Sequence, residues 1–457
     1  MNTKIKLLIA TSTCLALIMF NMSIIAIALP VIIKSFTHVN YSGQWVISAY
    51  ILSLVSIGLV TGKLSDSFEP KKIVLIGLCL FGLSSLFCAL SNSLIKLIFY
   101  RSLQGISSAL LITPSIKMLA EFFNKNGFGK VIGVVTGYGS IGLILSSLFG
   151  GVLIEHFGWS SFFYINFLIS IIIIILLVST NLEKSKKTPI NKFDIISFIL
   201  MSAFLCTFVF LIMEGHNIGW LSYTSISLIA IFIICLILFI FIEKCKSIPI
   251  IKRSLVLNKS FISVNIITIL SELMSISTIF LVLYIQKSLN YIPSVTGWLI
   301  FPLYFLFLCS NFISSIWINR AGVYYPLMFS LILILFGYII SFCLLSEKNY
   351  ISITPIIISL GFGLYLINNS VKTILVEISP QDSIGVSLGF MENTRYISAT
   401  ISFAILSSIV SYYKLHEVHD YFYYGFEKII LLCIFIAITG VVICYKFLRF
   451  HIIRDNN

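Results

Sequence analysis

Apolar runs of about 20 residues, separated by short polar stretches, recur along the whole chain. At ~1.5 Å of rise per residue, a helix of that length crosses a hydrocarbon core of about 30 Å. Fourteen runs can be read, at 7–33, 42–61, 73–90, 95–119, 131–154, 161–181, 194–214, 222–243, 261–285, 295–318, 326–345, 352–374, 385–412 and 428–448. In lipid every backbone N–H and C=O must be satisfied within the spanning structure, so long continuous runs predict helices. A membrane β-barrel would need short alternating segments instead. The fold class expected is therefore an all-α polytopic membrane protein.

Composition agrees. The chain has 457 residues, of which 59% are hydrophobic, 14% aromatic and only 10% charged. A soluble domain of this size needs a far more polar surface. The net charge of +13 does not mark a nucleic-acid binder, because the charges lie in short connections rather than on one basic face. Twenty Lys or Arg fall on the side of the termini and six on the opposite side (Lys34, Lys96, Lys287, Lys348, Lys414 and Lys428). The positive-inside rule then places both termini in the cytoplasm and the protein, multi-pass, in the cytoplasmic membrane. The N-terminus imitates a signal peptide, with Lys4, Lys6 and Ala26-Ile27-Ala28, but its apolar run continues through Pro30 to Ile33. It reads as an uncleaved first span.

The widest connections, at 183–192 and 243–260, split the runs into six, two and six. The expected domains are a six-helix bundle at 1–181, linkers with two inserted helices at 182–260, and a second six-helix bundle at 261–457. Asp66-Ser67-Phe68-Glu69, between runs two and three, corresponds to Asn319-Arg320-Ala321-Gly322 in the second bundle. Each looks like half of a D-R-x-G turn. Two bundles related by weak internal symmetry, with a site between them, make a transporter plan.

Six motifs in order carry a family resemblance. "GKLSDSFEPKK" (62–72) looks like a cytoplasmic gating loop, with Gly62, Leu64, Asp66, Lys71 and Lys72 in place. "WVISAYIL" (45–52), "RSLQGISSALLITP" (101–114), "FFYINF" (162–167), "YIQKSLNYIPSVTGWLIFP" (284–302) and "GVSLGFMENTR" (385–395) follow. The chain resembles the fourteen-helix drug:proton antiporter branch of the major facilitator superfamily. That implies the major facilitator fold with 6+2+6 helices. It also implies alternating access and proton-coupled export of small lipophilic or cationic compounds, with tetracycline-like drugs among them. In the gating loop, Asp66 and the adjacent lysines would form a charged latch, or serve only as inside-positive anchors. Ser67 and Glu69 stand where the family has Arg and Gly. The fifth run resembles the antiporter motif at Gly142, Ser146, Ser147, Gly150 and Gly151, with Ser-Ser for its Gly-Pro. Gly133, Gly137 and Gly142 still provide a small-residue seam. Asn21 stands where most of the branch has Asp, and an amide cannot exchange a proton near neutral pH. A carboxylate elsewhere must then carry any coupling.

Charged side chains inside spans are costly, so each needs a reason. Glu272 lies about 11 residues, roughly 16 Å, into the ninth run. It is a candidate proton or cationic-substrate site, or a structurally bonded glutamate. Glu392 and Arg395 are spaced i,i+3 and can pair on one helix face, for neutralisation or for gating. Arg101, with Gln104 near its face, is tied by the resemblance to the proton site; alternatively it snorkels outward. Lys117 and Lys372, near cytoplasmic ends, are expected to snorkel.

Other chemistries find little support. "GVSLG" matches the letters of G-x-S-x-G but opens a helix, not the strand–turn–helix that motif requires. "HEVHD" (416–420) lacks the H-E-x-x-H spacing, ten scattered cysteines show no C-x-x-C, and no P-loop occurs. The expectation is a non-enzyme with no cofactor, no metal and no nucleic-acid partner. It would act as a monomer on small molecules and protons in the bilayer. An exporter of an endogenous metabolite, siderophore or lipid is the alternative, and a transport-inactive receptor is the third possibility.

Overall fold

The computed structural model describes residues 3–36, 43–122, 125–180, 192–245, 259–378, 384–416 and 418–448. The wide connections at 183–192 and 243–260 fall largely outside them. Within the described residues the chain is helical throughout, with no strand. The long helices are α1 (Thr3–Ser35), α2 (Trp45–Ser67), α3 (Pro70–Ala89), α4 (Leu94–Phe122), α5 (Lys125–Phe157), α6 (Ser161–Val178), α7 (Lys192–Ile218) and α8 (Tyr223–Cys245). They continue with α9 (Lys259–Lys287), α10 (Pro293–Ala321), α11 (Tyr324–Leu344), α12 (Thr354–Ile378), α13 (Ile384–Leu415) and α14 (Tyr421–Ile443). Twelve are long and apolar enough to cross a membrane; the apolar runs of α2 and α7 are shorter among the described residues.

Two compact units result: Met1–Leu211 with Trp220–Ile242 and Ile292–Leu299, and Ile212–Gly219 with Glu243–Tyr291 and Ile300–Asn457. In the first, α1 packs on α5, α4 lies against both α2 and α3, and α3 meets α6. In the second, α9 packs on α13, α11 on α12 and α14. Ser310 of α10 donates to the Phe362 carbonyl of α12. The same pairings thus recur eight helices later, which is what an internal repeat produces.

The core of the first unit joins Leu7, Cys14 and Ile18 of α1 to Leu78 and Phe81 of α3, Leu111 of α4 and Ile173 of α6. Against lipid tails such residues gain little by leaving the solvent, so close packing must hold the helices together. Glycines permit it where backbones meet. A Cβ on Gly105 of α4 would collide with the Tyr50 carbonyl of α2, and one on Gly142 of α5 with the Ala16 carbonyl of α1. The inserted α7 attaches to this unit through Ser202, whose hydroxyl donates to the Ser56 carbonyl at 3.1 Å. Phe210 of α7 also packs on Trp45, with centroids 5.7 Å apart. Helix α8 follows, resting on α7 through Phe232 and Phe208 at 5.3 Å.

Candidate functional site

The second unit contains a chain of four charges drawn from three helices. Glu272 lies near the middle of α9, a helix with polar Ser271 and Glu272 set into an otherwise apolar stretch. Arg395 of α13 places Nε 3.1 Å from Glu272 Oε1. Its Nη1 lies 3.3 Å from Glu392 Oε2, one helical turn back on α13. Lys372 of α12 completes the row, Nζ to Glu392 Oε1 at 3.0 Å. The side chains grade from 16% exposed at Glu272 through 21% at Arg395 and 32% at Glu392 to 38% at Lys372. Two carboxylates and two cations balance, which removes most of the penalty of holding charge inside a bundle. Protonating either carboxylate breaks that balance and frees a cation to move.

On the same face of α12, Asn369 donates to Asn311 Oδ1 at 3.1 Å and also reaches Ser314, both on α10. One turn further along, Tyr365 packs against Phe307, the rings tilted at 51° with centroids 5.1 Å apart. Aromatic rings and amides therefore lie beside the charged row, the mixture that suits a lipophilic ligand with a few polar groups.

The first unit is organised differently. Arg101 of α4 is fully buried. Its Nε donates to the Val46 carbonyl at 3.0 Å and its Nη1 to Gln104 Oε1 at 2.6 Å. Gln104 passes the interaction on, donating to Ser85 Oγ of α3 at 2.7 Å. The Tyr50 ring of α2 covers the guanidinium at 4.3 Å, and its hydroxyl donates to Ser108 at 2.8 Å. Asn21 of α1, also fully buried, accepts from Asn166 Nδ2 of α6 at 3.0 Å. The two hydrogen-bond acceptors that meet Arg101, the Val46 carbonyl and Gln104 Oε1, are both neutral.

The stretch 62–72 is mostly helix: α2 runs to Ser67 and α3 starts at Pro70, leaving Phe68 and Glu69 as the link. Gly62 and Asp66 therefore sit in the last turns of α2, and the Asp66 side chain lies outside the described ones. Lys71 donates to the Thr180 carbonyl at the end of α6, and Lys72 pairs with Glu69 at 2.8 Å. In α5 no proline interrupts the helix. Ser146 and Ser147 return their hydroxyls to the Leu143 and Ile144 carbonyls. Gly150 faces Ile24 of α1, and Gly151 faces the backbone of Pro293 and Ser294.

With that geometry in hand, comparison with known proteins is decisive at the family level. The profile described as Major Facilitator Superfamily matches residues 11–403. The chain belongs to the major facilitator superfamily. It is 27% identical over 414 residues to the multidrug resistance protein Stp of Mycobacterium tuberculosis, covering 90% of this chain and 76% of that one. It is also 27% identical over 416 residues to the riboflavin transporter RibZ of Clostridioides difficile, covering 89% and 88%. A solved structure of a bacterial homologue of the human lysosomal transporter Spinster superposes with a TM-score of 0.69 at 13% identity, over 97% and 96% of the two chains. At that identity the match speaks to the fold. The facilitator fold is thus established, and with it a multi-pass membrane transporter rather than an enzyme.

Among the sequence candidates, the fold brings Glu272, Glu392 and Arg395 into one cluster, and Arg101 with Gln104 into another. Asn21 joins the second cluster through Tyr50, with whose hydroxyl its side chain interacts by hydrogen bonding. Lys372 corrects an expectation. Rather than snorkelling, it pairs with Glu392, because a carboxylate on α13 lies within ion-pair reach at 3.0 Å. Tyr50 and Asn166 lie within the WVISAYIL and FFYINF motifs, which do not by themselves single them out; the only signal for Ser85 is polarity within an apolar run.

Proposed function

We propose that this chain is a proton-coupled efflux transporter of the fourteen-helix drug:proton antiporter branch, moving small lipophilic molecules out across the cytoplasmic membrane by alternating access. Its termini would lie in the cytoplasm, on the charge asymmetry of its connections. The domain plan of 1–181, 182–260 and 261–457 accompanies that reading. Relatives named for multidrug, quinolone and tetracenomycin C resistance support efflux. The observation that carries the coupling is the Glu272–Arg395 pair at 3.1 Å, midway along α9. With Asn21 unable to titrate, Glu272 becomes the proton carrier. Its protonation releases Arg395 wholly to Glu392, and the rearranged row biases one end state over the other. Asp66, Lys71 and Lys72 would act as the cytoplasmic latch, and the α5 motif as a packing seam.

The test is dye accumulation in everted vesicles with and without an imposed proton gradient. Wild type should accumulate dye only with the gradient, and Glu272→Gln should lose that dependence. A mutant with full coupling refutes the assignment.

A second reading is export of an endogenous metabolite. It is favoured by the relative named a riboflavin transporter, which matches the chain along 89% of its length. Comparing retained flavins and drug tolerance in a deletion strain separates the two.

A further inference from the structure

The two units treat buried charge in opposite ways. In the second, Glu272 and Glu392 each have a cation at 3.0–3.3 Å. In the first, Arg101 is fully buried and its Nη2 has no hydrogen-bond partner. A guanidinium cannot neutralise itself by losing a proton, so its charge persists inside the bundle. The Val46 carbonyl, Gln104 Oε1 and the Tyr50 ring offset part of the cost with dipoles and a quadrupole. None supplies a negative charge.

The buried amide pair of Asn21 and Asn166 lies beside the Tyr50 hydroxyl. Asn21 Nδ2 is buried and directed at the Tyr50 hydroxyl oxygen, its one hydrogen-bond neighbour there. Asn166 Oδ1 is a buried acceptor without a hydrogen-bond partner. A charged donor and one acceptor, both unmet, describe what is missing. A carboxylate satisfies the donor, and a hydroxyl close to it satisfies the acceptor. A cationic ligand would add a charge of the wrong sign beside Arg101. Such a ligand would need a free carboxylate, and both of those in the charged row are taken.

We propose that Arg101 receives a negative charge borne by the cargo, so that this transporter handles small organic anions, hydroxylated aromatic carboxylates in particular. The inference rests on the export reading only in calling the anion cargo. Tyr50 is the lid. Gly105 holds the Tyr50 backbone directly on α4, so helix separation there would sacrifice a close contact. Swinging the ring away uncovers the guanidinium while leaving α2 and α4 together.

Binding is measured without transport, by thermal unfolding of the purified full-length protein. The additives are sodium salicylate, benzylamine hydrochloride and sodium chloride at equal ionic strength. Salicylate should raise Tm by several degrees, and the other two should not. Arg101→Lys should keep much of the shift and Arg101→Gln should lose it. Asn21→Asp, which supplies an internal carboxylate, should raise the Tm of the ligand-free protein and abolish the salicylate effect. That variant decides the matter if Arg101→Gln does not fold.

The proposal is overturned if salicylate does no more than chloride, if benzylamine stabilises more, or if the salicylate shift survives in Asn21→Asp. A shift produced equally by chloride means that an inorganic anion fills the site, and the cargo claim falls. Failure of proton coupling in Glu272→Gln leaves this assay unchanged, so the two readings fail separately.

Discussion

Arg395 of α13 spans two carboxylates, meeting Glu272 of α9 at 3.1 Å and Glu392 of its own helix at 3.3 Å. The first contact ties two helices together, and the second is local. Removing one member of a buried pair leaves an uncompensated charge, whereas removing both does not. Glu272→Gln and Arg395→Gln should each destabilise the protein by about 1–3 kcal/mol, less than for a fully dry pair because both side chains keep some exposure. Their double mutant should lose less than the sum, with a coupling of roughly 1 kcal/mol. Chemical unfolding in detergent measures the cycle, and strict additivity would mean that the contact stores no energy.

Lys372 and Glu392 permit a charge swap. Lys372→Glu alone places two carboxylates together and should impair both folding yield and transport. Adding Glu392→Lys restores one opposite-charge pair but brings a new cation beside Arg395, so rescue should be partial. Full rescue would show that Arg395 draws nothing from Glu392, and the row would shrink to two separate pairs.

Glycines of α5 separate packing from propensity. A Cβ at Gly142 would run into the Ala16 carbonyl of α1, whereas at Gly137 it would meet nothing within 4 Å. Gly142→Ala should therefore force α1 and α5 apart, at a loss of about 1–3 kcal/mol from overpacking. Gly137→Ala should be neutral or gain up to ~1 kcal/mol from helix propensity. Thermal unfolding of the two variants side by side checks this. Equal effects would mean that the α1–α5 seam is not a close contact.

The helices were legible because lipid leaves no ambiguity about what a 20-residue apolar run does. Their ends were not. The second run reads as 42–61, yet α2 continues to Ser67, and the fifth reads as 131–154 while α5 covers Lys125–Phe157. Hydropathy stops at the first polar residues, but helical hydrogen bonds carry on through them into the interface. Within the candidate site, the Glu392–Arg395 pair follows from i,i+3 spacing alone. The Glu272–Arg395 contact does not, since it depends on which faces of α9 and α13 meet. The Asn166–Asn21 bond joins residues 145 apart and is equally invisible. Lys372 shows the limit from the other direction. Its position near a helix end predicts an outward reach, and only the placement of α13 supplies the acid it pairs with.

The turns of the second unit converge on one carboxylate. Asp420 accepts from Lys348 Nζ at 2.7 Å and from Ser288 Oγ at 3.1 Å, joining the turns that follow α9, α11 and α13. Lys348 also lies 4.4 Å over the Tyr423 ring. Asn290, Lys348 and Asp420 all have left-handed backbones, with φ of 57°, 48° and 57°. Asn and Asp tolerate that conformation, but for Lys it is a strain that surrounding contacts must hold in place. Asp420→Asn keeps the backbone preference and deletes the charge, so it isolates the ion pair; Asp420→Ala loses both and should be the less stable of the two. The hydrogen bond to Asp420 raises the Lys348 pKa above its ordinary value. A cation whose folded-state pKa is raised contributes fully below its unfolded value, near 10.5, and loses that contribution as pH climbs through the folded value. The wild-type advantage over Asp420→Asn should therefore hold constant between neutral pH and about 10, then fall above it. Because Lys348 is largely exposed, the advantage should also shrink with added salt. Tm measured against pH and ionic strength in both proteins tests this, and a difference that grows above pH 10 would rule out the pair as its source.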